Sequence, residues 1–366
     1  MTDLDAQYAL IDASMLAARL YGKEDVRVEQ VPQPQVQPGE VRLRIRAALT
    51  CGTDLKVYRR GYHARMITLP FVFGHEFAGE IESVGAPAAS APGGSLPWKV
   101  GMRVVAANSA PCDACFYCER GMYAQCEDLL FVNGAYAEYL TLPERVVRKN
   151  LLPIPDHLSY EEAAMVEPLA CVVRGMEDTQ VQPGDTVAVI GAGQIGLLFI
   201  RLCKLAGARV IAVGRRPDRL EIAREMGADV LLRSGQEADI VESVRRNANG
   251  GRGPDKVIEC VGLPEVWERA IQMGRKGAVI NLFGGCPKDT FARLDTHRLH
   301  YDELTLKGTF HHTPSTVRQA LHLISEGLVP VRTLIQQRAS LQELPGVLKS
   351  LTNGNTAVKV AIYPRE

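Results

Sequence analysis

The chain has 366 residues, 46% of them hydrophobic, and carries 42 basic against 42 acidic side chains. That length exceeds one ordinary hydrophobic core, so two domains are expected, and the balanced charge removes any general attraction to nucleic acid or an anionic membrane. No window approaches about 18 uninterrupted apolar residues, which argues against a transmembrane helix, and Met1 to Ala13, with Asp3, Asp5 and Asp12, lacks the basic start and apolar core of a secretory signal, so a cytoplasmic enzyme is expected.

From Met15 to about Leu142 the chain reads as short strands broken by Pro and Gly. Val41-Arg42-Leu43-Arg44-Ile45-Arg46 alternates apolar and basic residues, the period-2 pattern of a half-buried strand. Phe77 to Gly85 reads as a second strand, Ala86 to Pro97 as an exposed loop rich in Ala, Pro, Gly and Ser, and Trp98 to Val105 as a turn plus strand. At Ser159-Tyr160-Glu161-Glu162 a Ser three residues before a Glu makes the capping box that opens a helix. Thr186 to Ile190 is the continuous apolar run of a buried parallel strand, leading through a Gly-rich turn into a helix over Ile195 to Ala206. Val210 to Val213, Lys256 to Cys260 and Ala278 to Phe283 continue as strands, with a helix over Arg219 to Met226. Strands alternating with helices specify a parallel sheet covered on both faces. From about Asp302 the texture is mixed again and ends in the strand-like Val358 to Tyr363. The expected architecture is α/β: a doubly wound nucleotide domain, residues 167–301, inserted between segments 1–166 and 302–366 of a mostly-β catalytic domain.

Gly191-Ala192-Gly193-Gln194-Ile195-Gly196 lies between the first of these strands and its helix. Its glycines allow a tight turn, close approach of backbone to pyrophosphate and close helix–strand packing, while the helix N-terminus offers N–H groups and a favourable dipole. The motif is read as a dinucleotide site. An acid about 20 residues on normally takes the ribose hydroxyls of NAD. Gly214, followed by Arg215 and Arg216, stands there instead. Losing a carboxylate and gaining guanidiniums favours the 2′-phosphate of NADP over NAD, against the plainer reading of a solvated turn.

Nine cysteines suit a reducing compartment, where clusters read as metal ligands. Cys112, Cys115, Cys118 and Cys126 follow C-x2-C-x2-C-x7-C, and four thiolates close a tetrahedron around one structural Zn²⁺. An iron–sulfur cluster or free thiols are the rivals.

Cys51-Gly52-Thr53-Asp54, Gly74-His75-Glu76, the cysteine lobe, Glu167-Pro168-Leu169 and the glycine turn occur in an order that resembles the zinc-containing medium-chain dehydrogenases, particularly the sorbitol (polyol) and threonine dehydrogenase branch. The resemblance runs from about Met15 to Val360. It implies a GroES-like catalytic domain, a Rossmann domain, two zinc ions per chain and hydride transfer between NAD(P) and a secondary alcohol or ketone. Cys51, His75 and either Glu76 or Glu167 would bind the catalytic zinc, three protein ligands leaving one exchangeable position. Cys171 is a weaker alternative. Thr53 would begin the proton relay and Asp54 would orient a ligand.

Two departures matter. Lys56 stands where many relatives finish the relay with His, and His311-His312 stand where sorbitol dehydrogenases have an Arg-Tyr pair. A polyol, cyclitol or sugar derivative is therefore the expected substrate class, without sorbitol itself following. Tyr58, Arg59, Arg60 and His63 point to a polar, even phosphorylated, substrate, or else to solvent-facing charge. The competing functions are a primary-alcohol or aldehyde reductase on the same scaffold and a non-catalytic dinucleotide-binding relative. A homodimer or homotetramer is implied, with Ala278 to Gly285 as the candidate pairing segment.

Overall fold

The structure, a computed structural model, describes residues 14–61, 68–87 and 97–365. The chain divides into two compact units, one made of residues 1–167 and 331–366, the other of residues 168–330. The acidic N-terminus, His63 and most of the Ala86–Pro97 loop lie outside the described residues. Among the described residues no helix is long and apolar enough to cross a membrane.

The first unit is mostly β. Strands β1 (Ser14–Gly22) and β2 (Asp25–Pro32) form an antiparallel pair extended by β4 (Phe71–Val72). The main sheet centres on β3 (Val41–Leu49), which pairs with β5 (Phe77–Val84), β9 (Tyr139–Leu142) and β18 (Lys359–Tyr363). It continues through β6 (Arg103–Ala106) to β10 (Leu151–Pro153) on one side and to β17 (Ile335–Ser340) on the other, with β7 (Ser109–Ala110) and β8 (Leu130–Phe131) as a separate pair. The alternation read from the sequence is the observed one. Val41, Leu43 and Ile45 are buried, while Arg42 and Arg46 turn to the other face and pair with Glu82 and Glu80, each at 2.7 Å. The core includes Phe73, Phe77, Tyr136 and Leu142. A short helix at Tyr160–Ala164 opens on the expected capping box, the Ser159 hydroxyl accepting from the Glu162 N–H.

The second unit holds one parallel sheet in the order β13-β12-β11-β14-β15-β16, formed by Val230–Arg233, Arg209–Gly214, Thr186–Ile190, Lys256–Glu259, Val279–Leu282 and Thr305–Gly308. Strand order reverses between β11 and β14, so the crevice at their carboxyl ends is where an open α/β sheet takes its ligand. β11 is buried throughout, as a central parallel strand must be. The inserted domain is longer at its C-terminal end than the expected 167–301. The edge strand β16 and the helix Pro314–Ser325 belong to it, and the chain returns to the first unit at Val331. β16 reads Thr-Leu-Lys-Gly and buries only part of Leu306 against the core, so no apolar run marks it in the sequence. The segment Ala278 to Gly285 is corrected too. β15 within it is paired on both sides, by β14 and β16, leaving no edge for a second chain.

Candidate metal centres and dinucleotide cleft

In the first unit three distant segments meet at the end of β3. The Leu49 N–H donates to the Glu76 carbonyl at 3.0 Å, and the Thr50 N–H to the Val360 carbonyl at 3.0 Å. Cys51 then caps the helix Gly52–Arg60, its sulfur accepting from the Thr53 N–H at 3.4 Å and its own N–H donating to Asp54 Oδ2 at 3.0 Å. Gly74 adopts φ 95°, and a Cβ there would stand 2.7 Å from the Tyr136 ring, so only glycine lets the chain turn His75 inward at this point. The result is that Cys51, His75 and Glu76 bring a thiol, an imidazole nitrogen and a carboxylate oxygen within 4.8 Å of one another.

Supporting groups fix this set. His75 Nδ1 lies 3.2 Å from Asp54 Oδ1, which holds the ring and leaves Nε2 for a metal. Asp54 also accepts from the Tyr136 hydroxyl at 2.6 Å, and that hydroxyl reaches the Leu49 carbonyl at 3.0 Å. Burial raises the Asp54 carboxyl, but His75, Tyr136 and the Cys51 N–H outweigh it and leave its pKa below the ordinary value. Burial likewise opposes a charge on His75, yet Asp54 and Cys51 hold its pKa well above the usual imidazole value. The local field thus favours a cation. Glu76 is fully buried with Oε2 paired to Lys359, while Oε1 has no hydrogen-bond partner among the described residues. An orphaned carboxylate oxygen beside a thiol and an imidazole fits a divalent metal better than an inert core.

Glu167 is buried near the start of the helix Val166–Thr179 and is not in the group formed by Cys51, His75 and Glu76. Among the described residues Cys171, in the second unit, joins no group of three such donors. Thr53 is half-buried at the start of the Gly52–Arg60 helix, and Lys56 is exposed along it. Tyr58 is buried in the core, and the exposed Arg59 donates to the Thr352 carbonyl at 2.5 Å. His311 and His312 follow β16 in the second unit with ring centroids 4.0 Å apart. Sequence reasoning missed Tyr136 and Lys359. A lysine inside the apolar run Val358 to Ile362 was the available signal for the latter.

Cys112, Cys115, Cys118 and Cys126 also come within 4.8 Å of one another. Two short 3₁₀ turns, Cys118–Arg120 and Tyr123–Gln125, and a left-handed Asp113 wrap the chain around them. The Cys112 N–H points to Cys126 Sγ at 3.2 Å and the Glu127 N–H to Cys115 Sγ at 3.5 Å, bonds that favour thiolates. The N–H groups of Glu127 and Cys118 lower Cys115 to about 6, while burial raises Cys118 to about 12. Four sulfurs in contact cannot all ionise unaided. A divalent cation at their centre would resolve the conflict.

In the second unit Gly193 caps the helix Gln194–Leu205, with Ile195 in its first turn. A Cβ on Gly196 would stand 1.8 Å from the Gly191 carbonyl oxygen, whereas one on Gly193 would meet nothing. Gly196 is thus needed for packing and Gly193 leaves the turn open to a ligand. A cavity of about 500 Å³ lies here, lined by Gly191, Gly193, Gly214, Arg215, Arg216 and Arg219 among others. Gly214 is close-packed, because a Cβ would stand 3.1 Å from both Ala192 Cβ and Leu220 Cδ2. Arg216 pairs with Asp218 at 2.7 Å. Burial, then the charge of Arg216, lowers Arg219 to about 10, with Asp218 opposing. Arg219 and Ser234, both lining the cavity, were not singled out from the sequence.

Residues 37–156 match the alcohol dehydrogenase GroES-like domain, and residues 195–326 match the zinc-binding dehydrogenase family. The chain is 30% identical to a sorbitol dehydrogenase of Bacillus subtilis, over 97% of this chain and 98% of that one. It is 31% identical to an erythritol/L-threitol dehydrogenase of Mycolicibacterium smegmatis, over 97% and 99%. Among solved structures it resembles a protein from Sinorhizobium meliloti, described as a zinc-binding dehydrogenase bound to NADP, with a TM-score of 0.86 and 28% identity over 96% of this chain and 100% of that one.

Proposed function

The chain belongs to the zinc-containing medium-chain dehydrogenases, and from that membership we propose that it transfers a hydride between NAD(P) and a secondary alcohol or its ketone. The observation that carries the reading is the convergence of Cys51, His75 and Glu76, with the orphaned Oε1 of Glu76 beside the other two donors. Zinc held there with one position open supplies the Lewis acidity that favours loss of an alcohol proton, and the dinucleotide supplies the hydride acceptor. In this reading Glu76, rather than Glu167, is the third protein ligand. Asp54 fixes His75 through Nδ1, and Tyr136 fixes Asp54. The Thr53 hydroxyl takes the alcohol proton. Lys56 is exposed on the same helix, so solvent rather than a buried base ends the relay.

The substrate class is a polyol, cyclitol or sugar derivative, supported by likeness to sorbitol and erythritol/L-threitol dehydrogenases. NADP is the favoured cofactor. Arg215, Arg216 and Arg219 surround the end of β12, where Gly214 leaves no carboxylate to take the ribose hydroxyls. The cysteine lobe takes a second, structural zinc. The active form is a homodimer or homotetramer, and β16, one of the two edge strands of the parallel sheet, is the edge that a second copy would extend.

The test is zinc content paired with a cofactor-resolved screen. Two zinc ions per chain with NADP-linked oxidation of a secondary polyol are expected. One zinc and no turnover with either dinucleotide would overturn the assignment and leave a zinc-stapled dinucleotide-binding protein. Preference for primary alcohols or aldehydes would instead select the reductase reading.

A further inference from the structure

Glu259 ends β14 at the point where strand order reverses, and its side chain is fully buried. A carboxylate withdrawn from water is costly unless its lone pairs are used. Here Oε1 accepts from the Val261 N–H at 2.5 Å and from the Gly262 N–H at 3.1 Å, and Oε2 lies 3.2 Å from the same Gly262 nitrogen. The Glu259 backbone carbonyl accepts in turn from the Phe283 and Gly284 N–H groups, at 3.0 and 2.8 Å. One residue therefore holds two loops, 260–262 after β14 and 283–285 after β15.

The loops are also in direct contact. Gly262 has φ 78°, and a Cβ on it would stand 2.5 Å from the Gly285 carbonyl oxygen. A Cβ on Gly284 would stand 2.4 Å from the Gly262 nitrogen and 2.7 Å from Glu259 Oε2. Trp267 closes the arrangement by donating from Nε1 to the Gly284 carbonyl at 3.0 Å. On its other side loop 260–262 forms a wall of the cavity at the glycine turn. Cys260, Val261 and Leu263 line that cavity, and a Cβ on Gly191 would stand 2.9 Å from Val261 Cγ2.

We propose that Glu259 is a positioning residue for the dinucleotide, its buried carboxylate fixing loop 260–262 as a rigid wall of the cofactor cavity while its backbone carbonyl holds the neighbouring loop 283–285. This rests on the dinucleotide reading above. A carboxylate is required because both of its oxygens accept, whereas the amide of a glutamine turns an NH₂ against a backbone N–H. A wall held in its bound shape lowers the ordering cost of binding.

The experiment compares wild type with Glu259→Gln, a change that keeps shape and removes one acceptor. NADP affinity is measured by protein fluorescence, alongside KM for NADP, KM for the alcohol and zinc per chain. Under the proposal the Kd and KM for NADP rise about tenfold, the scale of one lost charge-assisted hydrogen bond, while zinc content and the alcohol KM hold. A general loss of folded protein would lower the active fraction without moving the dinucleotide KM. Unchanged NADP affinity in Glu259→Gln, with wild type binding normally, overturns the clasp alone. Wild type that binds neither NADP nor NAD overturns the dinucleotide reading and the clasp with it. Should the variant fail to fold, hydrogen exchange on the wild type decides. NADP is expected to slow exchange in peptides covering 260–263 and 283–286, and no change there overturns the proposal.

Discussion

Lys359 and Glu76, 283 residues apart in sequence, form an ion pair in which neither side chain has any exposure. The lysine comes from β18 and the glutamate from the turn that carries His75. The pair engages Glu76 Oε2 alone and leaves Oε1 without a partner among the described residues. A lysine is a point charge and binds one oxygen, where an arginine fork would take both. The pairing thereby offsets the burial of a carboxylate and keeps one of its oxygens available beside Cys51 and His75.

Replacing Lys359 by Met is expected to destabilise the protein by roughly 3–5 kcal/mol, the cost of stranding one charge of a buried pair. Urea denaturation measures it. The double replacement K359M/E76Q is expected to recover much of that stability, yet not the zinc at Cys51 and His75. Equal stability of wild type and K359M would show that the pair carries no such weight.

The cysteine lobe has little core of its own. Phe116 is 54% and Met122 47% exposed, and the lobe is tied down by Lys149 to Asp113 and by Arg145 to Asp128. Cys118→Ser is expected to release one zinc per chain and open residues 112–127 to limited proteolysis. The metal at Cys51 should stay. Retention of full zinc content with an intact lobe would argue for a different tether.

Arg216→Ala should raise the KM for NADP by about tenfold to a hundredfold, the range for a lost hydrogen bond to a charged group. The KM for NAD should barely move. Parallel losses with both dinucleotides would mean that Arg216 supports the fold of the turn instead of reading a 2′-phosphate.

Asp255 accepts from the Thr186 N–H, Asn249 Nδ2 and Arg275 Nε at 2.7, 2.9 and 2.6 Å, joining the starts of β11 and β14. Burial raises its pKa, but these donors prevail and leave it below the ordinary value. A carboxyl whose pKa is lower folded than unfolded stabilises the fold above the unfolded pKa. That contribution is lost as pH falls through the folded pKa. Urea midpoints followed from about pH 6 to about pH 3 should fall less steeply in Asp255→Asn than in wild type, with lower stability of the variant at neutral pH. Parallel curves would remove Asp255 from the acid response.

Much of the architecture was legible because it rests on local periodicity and on motifs contiguous in the chain. The alternation from Val41 to Arg46, the apolar run Thr186 to Ile190 and the glycine turn each specify their structure within a few residues. The end of the inserted domain was not legible. β16 lies at a sheet edge, where a strand needs no apolar run and so leaves no pattern. Arg59 reads equally as substrate-facing or solvent-facing charge in the sequence, and only the fold shows it exposed with a donor on the Thr352 carbonyl.

The sequence by itself determined the donor types, since cysteine, histidine and carboxylate chemistry and the C-x2-C-x2-C-x7-C spacing are properties of the residues alone. It could not rank Glu76 against Glu167, because proximity to Cys51 depends on how β3, β5 and β18 are brought side by side. Tertiary structure alone buried Lys359 against Glu76 and locked His75 to Asp54 and Tyr136. It also set the Glu259 carboxylate against one loop and its backbone carbonyl against another at the end of β14. These are contacts between residues far apart in the chain or groups withdrawn from water. Their energies come from desolvation and pairing, which exist only once the fold has closed around them.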